Sequence, residues 1–121
     1  RFDRVLLDAP CSGTGTLRKN PEIRYRIAPA AIEALAGAEL RMLRSAAMLV
    51  APGGYLLYST CSLEEEENEG VVDRLIAETP GLRRAEIQAP EALRPCVEGS
   101  RFRLFPDQGT DGFTAHLLRK S

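Results

Sequence analysis

Long apolar runs are missing from this 121-residue sequence. The stretches that exist are short and interrupted, far below the roughly 20 residues that a membrane-spanning helix needs. Close cysteine pairs are missing too. The three cysteines, Cys11, Cys61 and Cys96, have no Cys-x-x-Cys spacing. An odd, widely spaced set argues against a disulfide framework and against a structural zinc site. No metal is expected. The opening Arg1-Phe2-Asp3-Arg4 has no signal-peptide layout, so a cytoplasmic, reducing location is the expectation. A large net charge is also absent: 16 basic and 17 acidic residues leave −1. The chain as a whole is therefore not a basic nucleic-acid binder.

What is present is an ordinary soluble balance, 44% apolar and 27% charged, in a length that suits one domain. Charge is unevenly placed. Arg18, Lys19, Arg24 and Arg26 cluster with only Glu22 opposing them, and Glu64 to Glu67 form an acidic run.

Arg4 to Asp8 reads as a strand buried on both faces, because Val5, Leu6 and Leu7 are continuous. Ala9 to Gly15 is a small-residue turn, and Leu17 to Ala28 an extended basic connection. Pro29 to about Val50 reads as a helix. Pro29 suits its first turn, and Ile32, Leu35, Ala36, Leu43, Ala46, Ala47 and Val50 fall on one face. Arg41 and Arg44 fall opposite, and Glu39 lies near the apolar stripe without an account. Pro52-Gly53-Gly54 ends the helix. Tyr55 to Thr60 is a second strand. Ser62 to Thr79 is a second helix, with Ser62 and Glu65 at capping-box spacing and Val71, Val72, Leu75 and Ile76 inward. Leu82 to Ile87 reads as a third strand and Gln88 to Ser100 as a loop. Arg101 to Phe105 and Phe113 to Leu118 form a hairpin. The order gives an α/β sheet with a late antiparallel element.

In such sheets ligands sit outside the carboxyl ends of the strands. Asp8-Ala9-Pro10-Cys11-Ser12-Gly13 follows the first strand, and Thr60-Cys61-Ser62 follows the second. Adjacent parallel strands would bring two thiols and one carboxylate together. A lone cysteine is more often a small buried hydrophobe than a reactive group, and Asp8 alone could cap a turn. Two cysteines directly after strand ends, one with Asp8 beside it, shift the balance to chemistry. Cys61, read as lying just before a helix N-terminus, would favour its thiolate. A thiolate adding to carbon 6 of cytosine makes carbon 5 nucleophilic enough to take a methyl group. A carboxyl group and a second thiol suit the accompanying proton transfers.

Asp8-Ala9-Pro10-Cys11-Ser12-Gly13, the stretch from Leu17 to Arg24, Tyr58-Ser59-Thr60-Cys61-Ser62 and Glu67-Asn68-Glu69 closely resemble the Sun/Nop family of RNA cytosine-5 methyltransferases. Gly109-Thr110-Asp111-Gly112-Phe113 resembles that family's terminal hairpin. The resemblance spans essentially the whole chain. It implies the C-terminal half of a Rossmann-like methyltransferase sheet acting on rRNA or tRNA. It implies Cys61 as nucleophile, Cys11 as the group assisting product release, and Asp8 as a contact to the base. Asp8 and Pro10 would border S-adenosylmethionine, Lys19 and Arg24 match basic family positions near the RNA or active site, and the whole basic cluster of Arg18, Lys19, Arg24 and Arg26 is expected to meet RNA phosphates. Another class, the DNA cytosine methyltransferases, uses its Pro-Cys thiol as nucleophile, so Cys11 is a rival for that role.

The departures are equally specific. The family's glycine-rich cofactor loop and its acidic partners do not occur here. Residues 1–121 thus read as a partial catalytic domain, with an incomplete cofactor site and no expected activity alone. Gly13 and Gly15 read as turn residues, and His116 as a structural strand residue. A first strand with one obvious neighbour leaves an edge open to self-association. A non-catalytic RNA-binding module on the 18–26 patch is the alternative, though phosphate binding has no use for either thiol. A redox thiol enzyme ranks last.

Overall fold

The computed structural model describes residues 1–16, 28–105 and 111–121. Strand β1, Phe2–Asp8, lies parallel to β2, Val50–Thr60. Val5 pairs with Leu56, Leu7 with Tyr58 and Asp8 with Ser59. The parallel pairing expected from sequence is present, and it carries the two cysteine turns to the same end of the sheet.

Helix α1, Pro29–Met48, precedes β2 and starts on Pro29 as its sequence requires. Ile32, Ala36, Leu40, Leu43, Ala46 and Ala47 are buried, and Arg41 and Arg44 face solvent. Glu39 lies inside the buried stripe, with 0% of its surface exposed. Helix α2, Glu69–Glu78, packs on α1 and buries Val71, Val72 and Leu75. Both helices cover one face of the sheet, where Leu56, Tyr58 and Leu118 complete the core.

Four short or late strands finish the sheet: β3, Leu82–Arg84; β4, Val97–Glu98; β5, Arg101–Leu104; and β6, Phe113–Lys120. The order is β1-β2-β6-β5-β4, with β3 also on β6. The hairpin of β5 and β6 is antiparallel as expected, with Phe102 opposite Ala115.

Several expectations are corrected. The sheet is mostly antiparallel, and among the described residues only β1 and β2 pair in parallel. β1 has β2 as its one neighbour, as its sequence implied, but it is not buried on both faces. Its Leu6 is 66% exposed, because among the described residues no helix covers that face of β1. This leaves the edge that self-association would require. Pro52-Gly53-Gly54 does not merely end α1. It lies within β2, where the register with β1 shifts between Phe2 and Arg4, as in a bulge that absorbs extra residues. The helix expected from Ser62 to Thr79 is broken: a 3-10 turn at Glu65–Glu67 precedes α2. Ser62 caps no helix, because α2 starts only at Glu69; its hydroxyl accepts the Glu64 N–H and donates to Glu67. The third strand stops at Arg84 instead of Ile87, and the 88–100 segment contains a 3-10 turn, Glu91–Cys96, and β4.

Candidate active site at two strand ends

Asp8 closes β1 with an exposed carboxylate, and the Ser59 hydroxyl of β2 donates to its Oδ1 at 3.0 Å. The Ala9 N–H continues the ladder to the Ser59 carbonyl at 2.9 Å. Pro10 is exposed beyond it. The chain then turns back through Gly13, whose φ of +75° few other residues adopt. It reaches the turn after β2, where the Gly15 N–H donates to the Cys61 carbonyl at 2.8 Å. The start of the last hairpin closes the group, with the Gly112 N–H donating to the Gly15 carbonyl at 2.6 Å.

Three segments distant in sequence therefore meet at one end of the sheet. The backbone N–H groups of Gly13 and Cys61 both reach the Cys11 sulfur, which puts that sulfur against the Cys61 backbone. Both thiols are half-buried and form no disulfide. Burial, then the charges of Glu67 and Glu39, push the Cys11 thiol up to about 11, against the lowering effect of the two amides.

Cys61 does not have the activation expected for it. Burial raises its thiol, and the carboxylates of Asp8 and Asp111 raise it further. The helix that was to favour its thiolate starts at Glu69, too far along the chain to act within its first turn. The resting site therefore holds two protonated thiols beside a pair of carboxylates.

Beneath the thiols is a polar network that is out of solvent. Glu67 is 0% exposed. Its Oε1 accepts the Ser12 N–H at 2.7 Å, and its Oε2 accepts the Ser12 hydroxyl at 2.6 Å and the Ser62 hydroxyl as well. Asn68 secures the same turn, donating to the carbonyls of Ser62 at 3.0 Å and Glu64 at 2.8 Å, and accepting from Thr60 at 2.6 Å. The Thr14 hydroxyl accepts the Leu63 N–H at 2.9 Å, and the Thr114 hydroxyl donates to the Ser62 carbonyl at 3.1 Å.

The Tyr58 hydroxyl donates its one proton to the Glu67 carbonyl at 2.7 Å. Glu39, buried alongside it, finds no donor for either oxygen among the described residues. Burial and the nearby Glu67 push the Glu39 carboxyl up to about 8. Burial thus favours the neutral form of this carboxyl group.

Asp8, Cys11 and Cys61 are thus brought together as the spacing implied, with Pro10 at the rim. Arg18, Lys19, Arg24 and Arg26 lie outside the described residues. Cys96 stands apart, half-buried in the 3-10 turn before β4. His116 is a buried strand residue, as expected. Burial and the surrounding Arg84, Arg101 and Arg103 push its imidazole down to about 4, against the pull of Glu69. Sequence reading missed three contributors. Asp111 is a second carboxylate acting on Cys61, Glu67 joins the two turns, and Glu39 is the acid below them. The resemblance had quoted Asp111 and Glu67 within motifs without giving either a role.

Comparison with known proteins places these features in context. The chain matches the family described as 16S rRNA methyltransferase RsmB/F over residues 1–119. It is 42% identical over 120 residues to ribosomal RNA small subunit methyltransferase B of Thermus thermophilus, covering 99% of this chain and 30% of that one. It is 47% identical over 81 residues to a tRNA (cytosine(34)-C(5))-methyltransferase of Drosophila melanogaster, covering 67% of this chain and 11% of that one. The structure of NSun6 from Pyrococcus horikoshii with SFG superposes with a TM-score of 0.74 at 33% identity, over 95% of this chain and 29% of that one. The chain spans less than a third of the length of these curated relatives.

Proposed function

The chain belongs to the 16S rRNA methyltransferase RsmB/F family, and from that premise we propose that residues 1–121 are the thiol-bearing part of the catalytic domain of an RNA cytosine-5 methyltransferase. The observation that carries this reading is the convergence of Cys11, Cys61 and Asp8 at one end of a parallel strand pair, with the Cys61 N–H on the Cys11 sulfur. A structural thiol has no need of a second one beside it, or of carboxylates facing it.

The donor set suits S-adenosylmethionine. Its sulfonium is a cation, and Asp8 and Asp111 set two negative charges beside Cys61. Asp8 and Pro10 would border it from the exposed rim. When bound, the cofactor supplies the methyl group as an electrophile.

The chain's own residues then divide the work. Cys61 gives its proton to the exposed Asp8 carboxylate, which later releases it to water, and the sulfur bonds to carbon 6 of cytosine, which loads carbon 5 with electron density. Asp8 contacts the base and assists that addition. After methylation, carbon 5 gives up a proton and the carbon–sulfur bond breaks. The proton lost from carbon 5 equals the one the departing sulfur needs to become a thiol again. Cys11 supports that exchange from its place beside Cys61. RNA phosphates are met by Arg18, Lys19, Arg24 and Arg26 in the same reading.

The test uses the full-length protein with its RNA and S-adenosylmethionine. Cys61→Ala is expected to abolish methyl transfer and leave no covalent adduct on a denaturing gel. Cys11→Ala is expected to form the bond and release poorly, so the protein–RNA adduct accumulates. Adduct accumulation in Cys61→Ala with none in Cys11→Ala would reverse the roles. Wild-type turnover in both would overturn the covalent mechanism.

A further inference from the structure

The two thiols sit on separate turns, and nothing in either turn's own sequence fixes the distance between them. The strand register brings Asp8 level with Ser59, but Cys11 lies beyond the last ladder bond of β1 and Cys61 beyond the end of β2. Their relative position therefore depends on what ties the turns together outside the ladder.

Besides the Gly15 N–H on the Cys61 carbonyl and the Thr14 hydroxyl on the Leu63 N–H, one carboxylate accepts from both turns. Ser12 follows Cys11 and Ser62 follows Cys61. Both serine hydroxyls donate to the same Glu67 oxygen, and the Ser12 backbone N–H donates to the other. All three are donations to one carboxylate that water does not reach. The hydroxyls themselves lie 3.4 Å apart. The Ser62 hydroxyl also accepts the Glu64 N–H at 3.0 Å, so its own proton is directed to Glu67. Glu67 is held in turn. Its backbone carbonyl accepts from Tyr58, and its N–H donates to the Glu64 carbonyl at 3.2 Å.

We propose that Glu67 is a positioning residue for the two-thiol site: its buried carboxylate joins Ser12 to Ser62 and thereby sets Cys11 against Cys61. This rests on the methyltransferase reading for its use in catalysis, but the geometry exists without it. Hydrogen bonds to an acceptor in a low-dielectric interior are stronger than those in water, and removing the shared acceptor leaves buried donors unsatisfied. The bland alternative is that Glu67 only stabilises the turn before α2. That alternative leaves the reach between the two thiols unchanged when the carboxylate is removed.

The groups around Cys11 make the distinction measurable. Glu67 and Glu39 act on Cys11 through their charge, with Tyr58 adjoining, whereas Cys61 responds to Asp8 and Asp111. Thiol alkylation by iodoacetamide is followed against pH in the full-length protein, site by site, by peptide mass spectrometry. Glu67→Gln is expected to move the Cys11 profile to lower pH and leave that of Cys61 in place. Asp8→Asn is expected to do the reverse. In parallel, dibromobimane, a short bis-thiol reagent, reports whether Cys11 and Cys61 are within reach of one another. Its crosslink yield between the two is expected to fall roughly fivefold or more in Glu67→Gln, about what losing one interaction does to a population. Ser12→Ala, which keeps the carboxylate and removes one bond, is expected to lower the yield less, and it serves if Glu67→Gln does not fold. In methyl transfer, kcat should drop while KM for RNA holds. Unchanged crosslinking in both variants would overturn the proposal. Equal shifts in the profiles of both thiols would do so too, since they would mean general loosening. Normal thiol results with no methyl transfer in the wild type would instead count against the proposed function alone.

Discussion

Glu39 is the residue that the sequence left without an account, and burial supplies one. An acid on the apolar stripe of α1 looks like an error of patterning, but it meets Tyr58 and Glu67 there. Its folded pKa of about 8 lies above its ordinary 4.5. Between those values the folded protein holds a proton that the unfolded chain has released. Stability from this group is therefore full below 4.5, falls as pH rises through the window, and levels off above 8. His116 works in the opposite sense, its contribution falling as pH drops from 6.5 towards 4. The interval from 6.5 to 8 consequently isolates Glu39 from it. Urea midpoints should decline across that interval, with a slope of up to about 1.4 kcal/mol per pH unit. Glu39→Gln carries no such proton and no charge to bury, so its profile should be flat and its stability at pH 8 higher. A wild-type profile with no decline, or the same decline in the variant, would refute a neutral Glu39.

At the scale of elements, local patterning reached as far as local causes do. The continuous Val5-Leu6-Leu7 run and the 3.6-residue stripe of α1 were readable because each element's own side chains determine it. The sheet's mostly antiparallel pairing was not, since β6 chooses its neighbours through contacts far away in sequence. Ser62 and Glu65 have the spacing of a capping box, yet Ser62 accepts from Glu64 within the turn and the helix starts later. Within the acidic run nothing in the sequence marked Glu67 as the one glutamate turned inward. The convergence of turns depends on Gly15. A Cβ there would lie 2.5 Å from the Cys61 carbonyl oxygen and closer still to that of Gly112. Backbone on both sides cannot swing away as a flexible side chain would. Gly15→Ala should therefore cost about 1–3 kcal/mol, the usual range for overpacking, and should break the Gly15 bridge between Cys61 and Gly112. Denaturant unfolding measures the first, and slowed amide exchange at Gly112 in the wild type, lost in the variant, measures the second. A variant with wild-type stability and protection would show that the turns are not closely apposed.

For the molecule as a whole, the proposed chemistry lies at the end of the sheet, where the described residues offer a cofactor only a rim. Both helices lie on one face. On the other, Leu6, Tyr55, Leu57, Phe102, Phe113 and Leu117 line an open groove of about 780 Å³. Apart from Asp8, Asp111 and Pro10, no residue described at the strand ends has been assigned to S-adenosylmethionine. A nucleoside with a charged amino-acid tail needs many directed hydrogen bonds, because its ribose and tail are polar and must exchange water for protein partners. Two carboxylates and a proline ring supply few of them. The 121 residues alone are therefore expected to bind S-adenosylmethionine weakly, and a protein containing them at the length of the relatives should bind it well. Titration calorimetry on both decides the matter. Weak binding by the short chain and tight binding by the long one is the expected result. A submicromolar dissociation constant for the short chain corresponds to about −8 kcal/mol or better, more than such a rim can provide. That outcome would mean that the groove or the strand ends hold a far more complete cofactor site than these residues assign.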